Sequence, residues 1–268
     1  ENDSGMESDI MYKLTDAYGR TTVLRPDNTM PIARLVATRL SRSDFPVRLY
    51  YNQNVLTRNK AYAGRTDEIP QSGIELIGDG SENADMEVLT MALEALGRAH
   101  LNSYSLEIGH AGFFNAILDD MDIDPAQKSE ICSLTESKNF AALSDLLASI
   151  GDTVQTRVLR RLPRLFGGAE VLEQAKRLYS SEKSDTALDY LGNIYQKLCA
   201  LGHQDHIMID LGLVNRTNYY TGIIFRGYAE GSGVSVLSGG RYDNLIGKFG
   251  LDAPAIGFAV DINALFDV

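Results

Sequence analysis

Apolar and polar residues alternate along several short stretches of the chain, which is the pattern of half-buried β-strands. In "DEIPQSGIELIG", Gln71, Gly73 and Glu75 occupy every second position and therefore share one face, while Ile74 and Leu76 point to the other. A buried carboxylate without partners is costly, so it normally finds hydrogen-bond donors or becomes neutral. We therefore expect other groups to meet Glu75, and Gly73 to leave room for them.

The same pattern divides the first part of the chain into alternating elements. "TTVLRP" predicts a strand and "NTMPIARLVATRLSR" predicts a helix, with Asp27 to Thr29 at its start and Pro31 in its first turn. "VRLYYNQNVL" and "EIPQSGIELIG" predict an antiparallel hairpin joined by the polar residues 57–67. An amphipathic helix with Leu89, Leu93 and Leu96 on one stripe follows, and "SYSLEIG" then predicts another strand.

Helical periodicity dominates from about residue 111 to 202, and strand patterns return in "HIMIDLG", "YYTGIIFRGYA", "GVSVLSGG" and "AIGFAVDI". Because most strands follow one another through hairpins, the pattern predicts an α+β fold with a mostly antiparallel sheet flanked by helices. We expect one domain over residues 1–268, interrupted by a helical insertion at about 111–202.

Composition narrows the classes of partner. The chain has 268 residues, 44% of them hydrophobic, and a formal net charge of −11. This charge disfavours binding to phosphate backbones, so we expect no tRNA partner. Without a run of about 18 apolar residues or a signal-peptide pattern at its start, the chain is expected to be cytoplasmic and not membrane-bound. Cys132 and Cys199 are expected to be small core residues without a disulfide.

Motifs for metals and nucleotides are weak. Asp120, Asp122 and Asp124 alternate as in a calcium loop, but Pro125 stands where the loop needs glycine and Ile131 where it needs glutamate. The histidines lack the partners of a zinc site, and neither G-x-G-x-x-G nor G-x-x-x-x-G-K-[ST] occurs. We therefore expect no metal and no cofactor.

Four polar stretches lie within otherwise apolar surroundings: "LRPDNT", "QSGIE", "NYYTG" and "SGGRYD". Singly, each could be a helix cap, a pair of core aromatic residues or a β-bulge. Together they supply carboxylates, an amide, a hydroxyl group and phenols, which suit a pocket for a small zwitterion with a polar side chain.

These stretches, in this order and with a helical block between the second and third, resemble the catalytic core of histidyl-tRNA synthetase, a class II synthetase. The resemblance extends to "GRTDEIPQSGIELIG", "GGRYDNLIGKFG" and the closing "GFAVDINAL". It implies a class II synthetase-like domain with seven residues at or beside histidine-contacting positions. They are Asp27, Thr29, Gln71, Glu75, Tyr219, Tyr220 and Tyr242.

The chain departs from that family where the synthetase handles phosphate. Thr57, Asn215 and Ala264 occupy positions where the resemblance implies arginine, although Arg58 and Arg216 are adjacent to two of them. One step along a strand turns a side chain to the opposite face. Because losing one charge-stabilising donor can cost roughly 3 kcal/mol of barrier, we expect no useful adenylation and no catalytic residues.

The chain is similar to a non-aminoacylating branch, the regulatory subunits of ATP phosphoribosyltransferase in histidine biosynthesis. This resemblance implies that it binds histidine and activates and feedback-regulates a short catalytic subunit, as part of a hetero-octamer. Alone, we expect a homodimer. Two alternatives remain open: a truncated, active histidyl-tRNA synthetase core, and another synthetase paralogue.

Overall fold

The computed structural model describes residues 10–58, 66–214 and 219–268, and these contain ten strands and nine α-helices. The strands are β1 Lys13–Thr15, β2 Thr21–Val23, β3 Val47–Leu56, β4 Glu68–Ile77, β5 Tyr104–His110, β6 Phe166–Gly167, β7 Ile207–Asp210, β8 Ile223–Ala229, β9 Leu237–Arg241 and β10 Ala255–Asp261. The helices are α1 Thr29–Arg39, α2 Glu82–Arg98, α3 Ala111–Asp119, α4 Pro125–Glu136, α5 Phe140–Ile150, α6 Val154–Leu159, α7 Glu170–Leu178, α8 Glu182–Ala200 and α9 Ile262–Phe266.

Eight of these strands form one sheet in the order β3-β4-β10-β9-β8-β5-β7-β6, while β1 and β2 form a separate hairpin. Within the described residues every neighbouring pair of the large sheet is antiparallel except β5 and β7. The predicted α+β fold with a mostly antiparallel sheet is therefore confirmed.

The two faces of the large sheet are covered differently. On one face, α2, α3 and α8 bury a large apolar core that includes Leu76, Leu93 and Phe225. On the other face, α1 packs over one end of the sheet in a smaller cluster with Ile77 and Tyr242. Part of this second face is left open between α1 and the helical region.

The predicted helical region is observed as α3 to α8, together with a short 3-10 turn at Leu162–Arg164. It also contains β6, a two-residue strand paired with β7 that the sequence pattern does not predict. Local capping explains several helix starts: Asp124 and Gln127 form a capping box at α4, and Ser181 and Ser184 form one at α8.

The tip of the predicted hairpin, residues 59–65, and residues 215–218 lie outside the described residues. Over the remainder of the chain, none of the helices combines the length and the apolar composition needed to cross a bilayer.

Candidate functional site

We use the term cleft for the polar part of the sheet face that α1 covers only partly. Its floor includes three cross-strand neighbours, Glu75 on β4, Gly257 on β10 and Gly240 on β9. The next row on the same face contains Gly73, Ala259 and Ser238. Ser238 is exposed although its neighbours on β9 are buried, which shows that the sheet is uncovered at this point.

Glu75 lies at the closed end of the cleft and is only 2% exposed. The hydroxyl of Thr29 donates to its Oε1 at 3.0 Å, and the phenol of Tyr242 donates to its Oε2 at 2.5 Å. Burial raises the pKa of Glu75 to about 7, against the opposing effect of these two donors, and the nearby Asp27 carboxylate raises the pKa further. Glu75 can therefore change its charge near neutral pH.

The residues before α1 form one wall of the cleft. Oδ1 of Asp27 accepts from the backbone N–H of Met30 at 2.7 Å, and burial raises the pKa of Asp27 above its usual range. Asn28 is buried, and its amide donates to Oε1 of Gln71 at 3.3 Å. The same loop therefore places Asp27 near Glu75 and joins α1 to the strand that carries Gln71 and Glu75.

Three tyrosines near Glu75 pack in the apolar cluster that includes α1. The ring of Tyr219 packs edge-on against Tyr220 and Tyr242, with centroid distances of 4.8 and 5.9 Å. Tyr220 fills the space above Gly240, where a Cβ would meet its ring. The structure thus brings all seven predicted site residues around one cleft, and their contact with histidine stays a prediction.

The space beside Gly73 has a different occupant from the one expected. Tyr51 on β3 pairs directly with Gly73 across the hairpin, and its ring lies where a Cβ of Gly73 would be. Burial, followed by the charge of Glu75, raises the pKa of the Tyr51 phenol. Gly73 therefore accommodates Tyr51, and Gly257 is the glycine whose missing side chain makes room for Glu75.

The positions expected to lack phosphate-binding arginines are only partly described. Thr57 follows β3 and donates its backbone N–H to Asp67 O at 2.9 Å, and Ala264 is buried in α9. Asn215 and the adjacent Arg216 lie outside the described residues. At two of the three positions the structure therefore places a side chain without charge.

A second polar cluster lies on the far face of the sheet and was not singled out from the sequence. Arg241 is buried and donates from Nε to Oδ1 of Asp85 on α2 at 2.7 Å, while Tyr190 donates to Oδ2 of Asp85 at 2.6 Å. Because successive residues of β9 point to opposite faces, Arg241 faces away from the cleft. Its place in the "GGRYD" stretch reflects packing of β9 on α2.

Comparison with known proteins places this chain among relatives of similar fold. The sequence model of the family described as histidyl-tRNA synthetase matches residues 1–265. An ATP phosphoribosyltransferase regulatory subunit from Clostridium kluyveri is 41% identical over 265 residues, covering 98% of this chain and 68% of the relative. For the next two relatives, from Clostridium acetobutylicum and Clostridium novyi, the covered shares are 63% and 62%, so the chain spans about two thirds of the curated relatives it matches.

Solved structures of similar fold belong to the same group of proteins. An ATP phosphoribosyltransferase regulatory subunit/histidyl-tRNA synthetase from Bacillus halodurans superposes with a TM-score of 0.87 at 39% identity, covering 98% of this chain and 69% of that one. A chain of the ATP phosphoribosyl transferase complex from Thermotoga maritima has a TM-score of 0.69 at 19% identity, covering 95% of this chain and 85% of that one. At 19% identity, the comparison with the Thermotoga maritima chain shows a similar fold only.

The antiparallel sheet, its partly open polar face and these likenesses define a class II aminoacyl-tRNA synthetase-like domain. The chain belongs to the histidyl-tRNA synthetase family and, within it, to the ATP phosphoribosyltransferase regulatory subunits.

Proposed function

We propose that this chain binds free histidine in the cleft and acts as the histidine-responsive, non-catalytic part of an ATP phosphoribosyltransferase regulatory subunit. The observation that carries the proposal is the buried carboxyl of Glu75, held by Thr29 and Tyr242 at the closed end of an open polar cleft. A buried carboxyl group that faces ligand space suits an N–H-rich ligand.

The chemistry of the walls suits histidine. Its ammonium and imidazole groups supply N–H donors, and Asp27 and Glu75 supply carboxylate acceptors on two sides of the cleft. Tyr51 and Tyr220 offer aromatic surface against which an imidazole ring can pack. Gln71 adds an amide that both donates and accepts, at the open end of the same strand.

The site lacks the positive charge that adenylation requires at two described positions, Thr57 and Ala264. Adenylation develops negative charge on phosphate oxygens, which a synthetase stabilises with guanidinium groups. We therefore propose that bound histidine acts only as a signal.

The recipient of that signal is proposed to be a short ATP phosphoribosyltransferase catalytic subunit. Relatives about 40% identical are named as regulatory subunits of this enzyme, and the Thermotoga maritima chain of similar fold comes from the enzyme complex. The hetero-octamer and the homodimer implied by the family resemblance belong to the same proposal.

Calorimetry with free histidine tests the ligand. Histidine should bind the wild-type chain and, at a hundredfold excess over its dissociation constant, raise the free energy of unfolding by roughly 2.7 kcal/mol. Glu75→Gln should weaken binding because it removes the buried acceptor charge. Glu94→Gln, which changes an exposed carboxylate on α2, is the matched control and should bind as wild type. No binding by the wild-type chain, or equal binding by both variants, would rule out this site.

The alternative of an active synthetase core is tested by histidine-dependent exchange of pyrophosphate into ATP. We expect no exchange above the level of a protein-free control. Exchange at the rate of a working synthetase would replace the regulatory proposal with the enzymatic one, and binding of another amino acid in place of histidine would favour a different paralogue.

A further inference from the structure

The proposed ligand carries a negative charge that the predicted site leaves without a partner. Free histidine has an α-carboxylate as well as an ammonium and an imidazole group. The seven predicted residues supply carboxylates, an amide, a hydroxyl and phenols, and none of them carries a positive charge. Since carboxylates in proteins pair preferentially with guanidinium groups, the cleft needs a cation within reach of the ligand.

Strand register brings one arginine to the floor of this cleft. Arg226 on β8 is the cross-strand neighbour of Ser238, which in turn pairs with Ala259, and Ala259 pairs with Gly73. These residues form a single row on the face that carries Glu75, because Gly73 and Glu75 are two positions apart on β4. Arg226 therefore lies at the opposite side of the open floor from Tyr51.

The charge of Arg226 acts on Tyr220, one of the residues that line the cleft. Burial is the largest cause of the raised pKa of Tyr220, but Glu75 and Asp27 raise that pKa further and the charge of Arg226 lowers it. Tyr220 is thus within electrostatic range of two acidic groups and one cation. A zwitterion beside Tyr220 would have its N–H groups toward Glu75 and Asp27 and its carboxylate toward Arg226.

The guanidinium is positioned but retains capacity for a ligand. Its Nη2 donates to Val214 O at 2.9 Å and lies 3.8 Å from Oε1 of Glu136, which is longer than a normal hydrogen bond. The side chain is 18% exposed. Arginine has five N–H donors, and the contact with Val214 uses one of them, while the carboxyl groups of Glu107 and Asp210 also lie within its electrostatic range.

We propose that Arg226 is the specificity-determining residue that binds the α-carboxylate of the ligand. This inference rests on the proposed function, because the carboxylate belongs to the histidine placed in the cleft. It predicts a preference for the intact amino acid over the corresponding amine. Arg226 would donate two parallel hydrogen bonds, as guanidinium groups do to carboxylates.

Binding of two ligands to wild type and Arg226→Gln tests the assignment. Histidine and histamine share the imidazole and the amine, and histamine lacks the carboxylate. Wild type should bind histidine more tightly than histamine. Arg226→Gln should reduce histidine affinity by roughly 10- to 100-fold and leave histamine affinity within about twofold, because only the charged hydrogen bonds to the carboxylate are lost.

Three further variants sharpen the result. Arg226→Lys keeps the charge but not the paired donors, so it should fall between wild type and Arg226→Gln, and it carries the test if Arg226→Gln does not fold. Arg98→Gln changes an exposed arginine on α2, which covers the far face, and should bind both ligands as wild type. Arg216→Gln tests the nearby cation in the sequence before Tyr219 and should not alter the histidine-to-histamine ratio.

The outcomes separate this inference from the proposed function. Equal loss for histidine and histamine in Arg226→Gln, or a carboxylate-selective loss in Arg216→Gln alone, would overturn the role of Arg226 while histidine remains the ligand. Equal affinities of the wild type for histamine and histidine would also overturn the role of Arg226. Failure of wild type to bind either ligand would overturn both proposals.

Discussion

At the scale of single residues, Glu75 is deeply buried and accepts two hydrogen bonds, from Thr29 and Tyr242. Burial raises its pKa to about 7, whereas a glutamate in the unfolded chain ionises near 4.5. Between these two values the folded state holds more protons than the unfolded state, so the stability of the empty protein should fall as pH rises. Below about pH 4.5 Glu75 is neutral in both states and makes no such contribution.

Chemical unfolding of wild type and Glu75→Gln at pH 5 and pH 7 isolates this contribution. Wild type should lose about 2 kcal/mol more than the variant over this interval, because glutamine remains neutral. Asp27, whose pKa is also raised by burial, is present in both proteins. Equal losses in the two proteins would show that Glu75 is ionised in the folded state at both pH values.

At the scale of elements, a strip of glycines crosses three neighbouring strands beneath the cleft. Gly73, Gly257 and Gly240 leave space for the side chains of Tyr51, Glu75 and Tyr220 respectively. The space is therefore already filled by the protein, and the glycines determine how deep these side chains lie in the sheet. Their role is packing against the backbone at close approach.

Gly257→Ala tests the strip. Its Cβ would overlap a carboxylate oxygen of Glu75 and the backbone carbonyl of Ile74, so the strands or Glu75 must move. We expect the free energy of unfolding to fall by about 1–3 kcal/mol and histidine binding to be lost. Gly233→Ala is the matched control, since nothing lies within 4 Å of its added Cβ. Thermal unfolding and calorimetry provide the measurements, and wild-type binding by Gly257→Ala would contradict the role of the strip.

The sequence correctly predicted those strands and helices whose patterns involve only neighbouring residues. Alternation along "QSGIELI" correctly put Glu75 on the face opposite Leu76, and the helical stripe with Leu93 correctly predicted α2. The occupant of the space at Gly73 could not be read in the same way, because it depends on the register between β3 and β4, which places Tyr51 opposite Gly73. Local alternation identifies a face but not the cross-strand neighbour.

Arg226 was missed for a related reason. It reaches the cleft floor through three successive pairings, to Ser238, Ala259 and Gly73, whose partners are far apart in the sequence. Arg241 lies in a more conspicuous motif but points to α2 on the other face. The helical insertion proposed for residues 111–202 remains an interpretation, since α3 and α8 also help to bury the main core.

At the scale of the whole molecule, the cleft is connected to the helical region through Arg226, which lies 3.8 Å from Glu136 at the end of α4. A ligand that draws Arg226 toward its carboxylate would change this contact. Such a change can regulate a partner only if the ligand binds two states of the assembly with different affinity. A cleft that binds histidine without using it chemically therefore needs an associated enzyme to have an effect on metabolism.

We expect the short ATP phosphoribosyltransferase subunit to be poorly active alone, to gain activity when this chain is added, and to be inhibited by histidine in the mixture. Glu75→Gln should still co-elute with the enzyme on size-exclusion chromatography but should relieve inhibition. The substitution weakens histidine binding and leaves the association of the subunits unchanged. Glu94→Gln should behave as wild type in initial-rate assays. Absence of both co-elution and activation would remove the regulatory role from this chain. Activation with unchanged inhibition in Glu75→Gln would place the inhibitory site elsewhere in the complex, because coupling between sites is measured as a change in affinity or rate.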